Sequence, residues 1–425
     1  MEAARIGAKL VSVTYSFVEE RPTLSLAEAD ACDKVGGEGF SSVIVGEGPD
    51  HRVGEGLSTV TGKVASSGQR HLYMETQTTH AAPTNSGGLV VTTSCQVVDN
   101  AQKMLAKTLN LDIAKITVEN DRVGGAYGGK AFLYAPVCAM ASVAALKTRS
   151  PVLITLDRTS DFLAFAGRNP YEATWTCTYD GAGKIKGLTQ VASMALGATS
   201  SGATQLTGLN CYNVVGAQLQ NKYAVTNTPT CTIMRAPGHF EGAFIMEGVI
   251  EHVASTLGVD YMKVQEANLT TTMQRVWAAL KLQAAYDRTR TLVDQFNASS
   301  RYQKQGLYCM GSQYQIMPLG WKEKCSVTVH SDGSVSISHS GIEQGQGLDT
   351  KAVQACAMIF EKLADDFTMS RVQVVDPKST TFFSWSGVTA SWGSATSETV
   401  AFAVADACTK IAKGLSPYAK AGRSW

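Results

Sequence analysis

The chain has little charge for its length, and what it has nearly cancels. Only 17% of its 425 residues are Asp, Glu, Lys or Arg, with 37 bases against 36 acids. Soluble domains carry about 25%. With 44% hydrophobic residues, much of the surface is expected to lie buried between the chain's own domains or against other parts of a larger protein. A net charge of +1 supplies no basic field for nucleic acid, which is not an expected partner. No run approaches the roughly 18 apolar residues of a membrane span, and the amino terminus lacks a signal-peptide pattern. No membrane association is therefore expected, and the expected location is the cytoplasm. Ten cysteines, at 32, 95, 138, 177, 211, 231, 309, 325, 356 and 408, include no C-x-x-C pair. That spacing excludes zinc ribbons and dithiol redox motifs and leaves small buried hydrophobes in a reducing compartment. The seven histidines form no H-E-x-x-H signature.

Glycine, by contrast, is concentrated at places that matter. The stretch Arg122-Val123-Gly124-Gly125-Ala126-Tyr127-Gly128-Gly129-Lys130 sets four glycines around one aromatic ring. Glycine lets main-chain N–H groups approach a ligand unshielded by a Cβ. Upstream, residues 114–119 alternate like a strand, and 135–146 form a small-residue apolar run suited to a buried helix. A dinucleotide fingerprint needs G-x-G-x-x-G, which is absent. A phosphate loop fits Gly124, Gly129 and Lys130, but Ala131 replaces the hydroxyl that would hold magnesium. A turn serving only strand-to-helix packing remains open for this segment alone. A second glycine-rich segment, 341–351, follows a hairpin pattern at 326–338 centred on Asp332-Gly333, and a helix-like run begins near Lys351. Two such loops suggest one extended ligand held between them.

These segments resemble the molybdenum hydroxylases, the xanthine dehydrogenase and aldehyde oxidase family. Seven pieces match in order: 68–76 (Gly-Gln-Arg-His-Leu-Tyr-Met-Glu-Thr), 122–130, Leu156-Asp157-Arg158, Gly167-Arg168-Asn169-Pro170, Met234-Arg235-Ala236-Pro237-Gly238, 341–351 and Gly393-Ser394-Ala395-Thr396-Ser397-Glu398. The Arg-Ala-Pro-Gly and Gly-Ser-x-Thr-Ser-Glu versions look more like plant-type aldehyde oxidases. The resemblance implies an α+β fold: two intertwined mixed α/β cofactor-binding domains preceded by part of a small α/β-hammerhead-like subdomain. The expected boundaries are 1–67 for the partial subdomain, 68–296 for the first molybdopterin-binding domain and 297–425 for the amino-terminal part of the second. Periodicity adds a helix at the start of the chain, a strand over 10–15, and helices over 244–257 and 398–415.

The family's residues carry over position by position. Gln69 matches the glutamine that hydrogen-bonds a molybdenum ligand. Gly125, Ala126, Tyr127 and Gly128 match the first loop, whose N–H groups face the metal ligands and pterin, with Tyr127 in a slot usually held by phenylalanine. Arg235 matches the arginine framing the metal centre; Gly345, Gln346 and Gly347 match a loop gripping pterin or its phosphate; Gly393 and Ser394 match a third backbone contact. Molybdenum is implied to be held through the pterin, with Gln69 and Arg235 beside it, and no protein atom is expected to ligate it. The implied substrate pocket includes Ala131, Pro237, Gln315 and Ile316, all departures from the xanthine-oxidising pattern. Aldehydes or apolar heteroaromatics are the expected substrates.

The implied reaction is hydroxylation with water as the oxygen source, the electrons leaving through 2Fe-2S clusters to FAD on regions outside this sequence. The expected partners are those iron–sulfur and flavin domains, a small-molecule substrate, and a second copy in a homodimer. The family's general base lies in a Gly-Glu-Pro segment that does not occur here, so no catalytic residue is assigned, and the chain alone is expected to be inactive. The alternative is a divergent or truncated non-catalytic cofactor-binding or interaction module. It draws on Ala131, on Asn169, often histidine in the family, and on Glu241, often glutamine there, which either faces the cofactor or caps a helix.

Overall fold

Apolar alternation in the first half of the chain resolves into two sheets, each covered by helices whose apolar faces match it. The computed structural model describes residues 2–16, 23–31, 41–51, 56–199, 208–314, 323–375, 378–379, 390–418 and 425. A four-stranded sheet runs in the order Ile116–Glu119, Leu89–Thr93, Thr78–Pro83, Val152–Thr155. Helices Val98–Leu109 and Ala135–Thr148 pack on it through Val98, Ala101, Leu105, Cys138, Ala141 and Ala145, all buried. The small residues of the second helix bring its backbone close to the sheet. A five-stranded sheet runs in the order Ser41–Val45, Gly216–Val225, Ile185–Gly197, Tyr171–Asp180, Leu57–Ser66. Helix His239–Leu257 covers it with Ile245, Met246, Val249, Ile250 and Val253, which lose all contact with water.

The second half builds a smaller layer. The hairpin Cys325–Val329 and Val335–His339 forms as the Asp332-Gly333 turn requires, with Gly333 at φ +80°. Strand Val372–Val375 joins it in parallel, and helices Leu348–Phe360 and Thr396–Leu415 close the core through Phe360, Cys356, Val404 and Cys408. Among the described cysteines, those at 95, 138, 177, 211, 231, 356 and 408 are buried and none is disulfide-bonded.

The fold is α+β, with the two cofactor-domain halves intertwined as expected. Ile342 of the second half sits inside the core of the four-stranded unit beside Val123 and Ala126. Ser379 clamps the edge strand, its N–H donating to the Val118 carbonyl at 2.8 Å while its hydroxyl accepts from the Val118 N–H at 2.9 Å. One expectation is corrected. Residues 10–15 form no strand and lie exposed, because no strand among the described residues pairs with them. The five-stranded sheet draws strands from both sides of residue 67: Leu57–Ser66 pairs along its whole length with Tyr171–Asp180, and Ser41–Val45 pairs with Gly216–Val225.

Candidate functional site: a cleft between three loops

Both glycine-rich loops and the 390–398 segment meet at one cleft of about 700 Å³. Its walls include Ala126, Tyr127 and Gly128 from the first loop, Gln344, Gly345 and Gln346 from the second, and Ser391, Trp392, Gly393 and Ser394 from the third. Residues Ile233 to Pro237, with Tyr314, supply a more apolar side. The backbone is bent hard around this space. Tyr127, Ala236 and Ser394 stand at φ +54°, +51° and +58°, left-handed values that side chains other than glycine rarely take.

The bent segments also carry main-chain donors that the fold does not use. Among the described residues, no protein atom accepts from the N–H groups of Ala126, Tyr127, Gln346, Gly393 or Ser394. An amide cut off from both protein and solvent costs about 1–3 kcal/mol; Ala126 is buried, Gln346 and Ser394 are exposed to water, and a ligand rich in acceptors suits the whole set. Arg235 and Lys351 border the same space, against one carboxylate, Glu398, among the described residues. The Arg235 guanidinium lies 4.1 Å from the Tyr127 ring centroid, and the Arg235 main-chain N–H donates to the Tyr127 carbonyl at 3.1 Å. The tyrosine ring is thereby fixed as a wall of the cleft.

Other expected donors are engaged within the protein. The Gly125 N–H donates to the Val123 carbonyl at 2.8 Å and the Gly128 N–H to Gln96 Oε1 at 3.1 Å. The carboxylate of Glu343 accepts from the N–H groups of Gly345 at 2.8 Å and Gly347 at 3.1 Å. These four glycines shape their loops; their amides are not available to a ligand. Lys130 is likewise turned away from the cleft, fully buried against Glu75 at 2.7 Å and over the Tyr73 ring at 4.9 Å. Burial holds its pKa down, countered by Glu75. The phosphate-loop reading of Gly124, Gly129 and Lys130 therefore fails on the direction of the lysine.

Gln69 lies apart from the main cleft, on a neighbouring cavity of about 760 Å³ that it shares with Arg168. Arg168 connects the two spaces: Nε donates to Gln69 Oε1 at 3.2 Å and Nη2 to the Arg235 carbonyl at 2.7 Å. Because guanidinium only donates, the Gln69 carbonyl must point inward and its NH₂ outward. Pro237 lines the main cleft. Ala131 does not: it is fully buried, its N–H donating to the Gly128 carbonyl at 3.1 Å inside the turn. Gln315 and Ile316 lie outside the described residues. Sequence reasoning missed Gln96, Gln344, Ser391, Trp392 and Tyr314, all on the walls.

Models of the molybdopterin cofactor-binding domain match residues 48–269 and again 279–424. The chain belongs to the molybdenum hydroxylase family. Within it, the rice (Oryza sativa subsp. japonica) protein named "Probable aldehyde oxidase 2" is 31% identical over 394 residues, which cover 87% of this chain and 28% of that protein. Mouse (Mus musculus) aldehyde oxidase 2 is 30% identical over 383 residues, covering 84% and 28% respectively. The chain thus spans little more than a quarter of these relatives' length. In fold it is similar to the crystal structure of quinoline 2-oxidoreductase from Pseudomonas putida 86, with a TM-score of 0.77 at 17% identity over 96% of this chain and 56% of that one. Helices long and apolar enough to cross a membrane are absent among the described residues.

Proposed function

We propose that the cleft holds a molybdopterin cofactor and that the chain is the cofactor-binding portion of an enzyme hydroxylating aldehydes or N-heterocycles. The amides of Ala126 and Tyr127 on one loop, with those of Gln346, Gly393 and Ser394 on two others, all without an acceptor among the described residues, carry this reading. A flat, acceptor-rich, phosphate-bearing molecule matches that donor set. Gly393 and Ser394 run into the start of helix Thr396–Leu415 beside Lys351, a position that favours a phosphate. The bound cofactor supplies the redox chemistry; the protein residues orient it, balance its charge and keep water out. Arg235 offsets negative charge and the Tyr127 ring excludes solvent, while Gln69, oriented by Arg168, presents its NH₂ to the adjacent cavity rather than to the cleft.

Ile233, Met234, Pro237 and Tyr314 make one side of the cleft largely apolar, which suits an aldehyde or an apolar heteroaromatic better than a purine with a polar edge. In the complete enzyme this portion works with iron–sulfur and flavin domains, as a homodimer in the cytoplasm. The division into residues 68–296 and 297–425 is retained as the working domain map, with strands from 41–66 completing the first unit's sheet. The departures behind a non-catalytic reading are absorbed by packing. Asn169 Nδ2 donates to the Ala195 carbonyl at 2.7 Å, Ala131 is sealed in a turn, and Glu241 pairs with Arg168.

The test is metal and pterin content of the full protein carrying this chain, purified from cells that make the cofactor. Molybdenum and pterin near one per chain are expected. Protein free of both after such expression overturns the reading.

A further inference from the structure

The three loops of the cleft belong to segments far apart in sequence, yet one buried side chain links them. Gln96 is 3% exposed. Its Oε1 accepts from the Gly128 N–H at 3.1 Å, and its Nε2 donates to the Ser391 carbonyl at 2.7 Å. Its main chain repeats the connection: its N–H donates to the Lys130 carbonyl at 2.9 Å, and its carbonyl accepts from the Ser391 N–H at 3.1 Å. Ser391 in turn holds the second loop. Its hydroxyl donates to the Ile342 carbonyl at 2.6 Å and accepts from the Ile342 N–H at 2.8 Å. The Ser391 carbonyl also accepts from Gln344 Nε2 at 2.9 Å.

We propose that Gln96 is a positioning residue that sets the spacing between the first and third loops through its amide, and through Ser391 fixes the second. The inference rests on the reading that the cleft holds the molybdopterin cofactor. The chemistry requires an amide of this length. The side chain must accept from one peptide N–H and donate to one peptide carbonyl at once, which carboxylates and hydrocarbons cannot do. Asparagine, a methylene shorter, cannot reach both partners. Glutamate keeps the acceptor for Gly128 but places a carboxylate against the Ser391 carbonyl. Because the cleft's donors are main-chain groups of these loops, a change in loop spacing alters their aim without removing any of them.

The experiment compares Gln96→Glu, Gln96→Leu and Gln96→Asn with Gln102→Leu in the full protein. Gln102 is an equally buried amide of the same sheet unit, donating to the Ile113 and Ile116 carbonyls at 3.2 and 2.6 Å, and it does not border the cleft. Molybdenum and pterin are followed over time after dilution, alongside the urea midpoint of each variant. The expected result is at least tenfold faster cofactor loss in the Gln96 variants at stability matched to Gln102→Leu, whose cofactor loss stays at the unmodified rate. Gln96→Glu keeps one of the two side-chain contacts and serves where Gln96→Leu does not fold. Cofactor loss tracking urea stability equally in both series overturns the positioning role while leaving the cofactor reading intact. An unmodified protein that holds neither molybdenum nor pterin overturns the reading itself, and this inference with it.

Discussion

Arg168 and Glu241 form an ion pair at 2.9 Å with 4% and 1% of their side chains exposed. The guanidinium is engaged on all sides, by Glu241, by Gln69 Oε1, by the Arg235 carbonyl and by the Phe240 ring 4.5 Å from its carbon. Glu241 therefore neither caps its helix, whose N-cap Gly238 receives no side-chain bond, nor stands free against a cofactor. It neutralises the arginine that joins Gln69 to Arg235. Breaking such a buried pair leaves a desolvated charge, at a cost of about 3–5 kcal/mol. Arg168→Met and Glu241→Leu are each expected to lose about that much in urea unfolding, and the double variant less than the sum. Single losses under about 1 kcal/mol would mean the pair is open to water in solution.

Gly128 stands at φ +101°, and a Cβ there would lie 2.3 Å from the Ile233 carbonyl oxygen. The close approach that requires glycine is thus made by the 233–235 segment, not by a ligand directly. Gly345 stands at φ +95° beside open space, and a Cβ there would meet nothing within 4 Å. Gly345→Ala is expected to cost only the backbone strain, about 1–2 kcal/mol. Gly128→Val should cost more and should strip the cofactor, because the first loop must move off the segment that carries Arg235. Thermal unfolding and molybdenum content check both. Equal costs at the two positions would remove the packing argument.

Glu343 is the hub of the second loop, its carboxylate accepting from Gly345, Gly347 and, at 3.1 Å, the Asp349 N–H. Its own carbonyl accepts from the Val123 N–H at 2.9 Å, which docks the loop on the first one. Glu343→Ala leaves three amides without their acceptor. Stability is expected to fall by about 1–3 kcal/mol for each amide that water does not reach, and cofactor retention to fall with it. Glu343→Gln keeps one accepting oxygen and should lie between. Retention at the unmodified level in Glu343→Ala would show that the loop holds its shape unaided.

What was legible in the sequence was what local chemistry dictates. The two glycine loops, the Asp332-Gly333 hairpin and the apolar runs that became helices Ala135–Thr148 and His239–Leu257 all follow from turn residues and periodicity. The direction of each amide was not legible, because it depends on partners such as Gln96 and Ser391, which lie 295 residues apart. Nor does a glutamine before a helix advertise that it spans two loops. The alternation over residues 10–15 misled for a related reason, since a strand exists only where another offers its edge.

Glu323 gives the second half a pH dependence of its own. Burial pushes its carboxyl up to about 7, against the opposing pull of the Ser340 hydroxyl, which donates to Oε2, and of nearby His339. Oε1 has no partner among the described residues. Between the unfolded value near 4.5 and about 7, the folded state binds more protons than the unfolded chain. Stability from this group is therefore fully present below about pH 4.5 and is lost as pH rises through about 7, with a slope of at most roughly 1.4 kcal/mol per unit. Glu323→Gln keeps a neutral side chain of the same shape at every pH. Its urea stability is expected to exceed that of the unmodified protein at pH 8 and to converge with it near pH 4.5, so that the difference between the two grows across that window. A difference that stays constant with pH would mean the carboxyl titrates alike in the folded and unfolded chains.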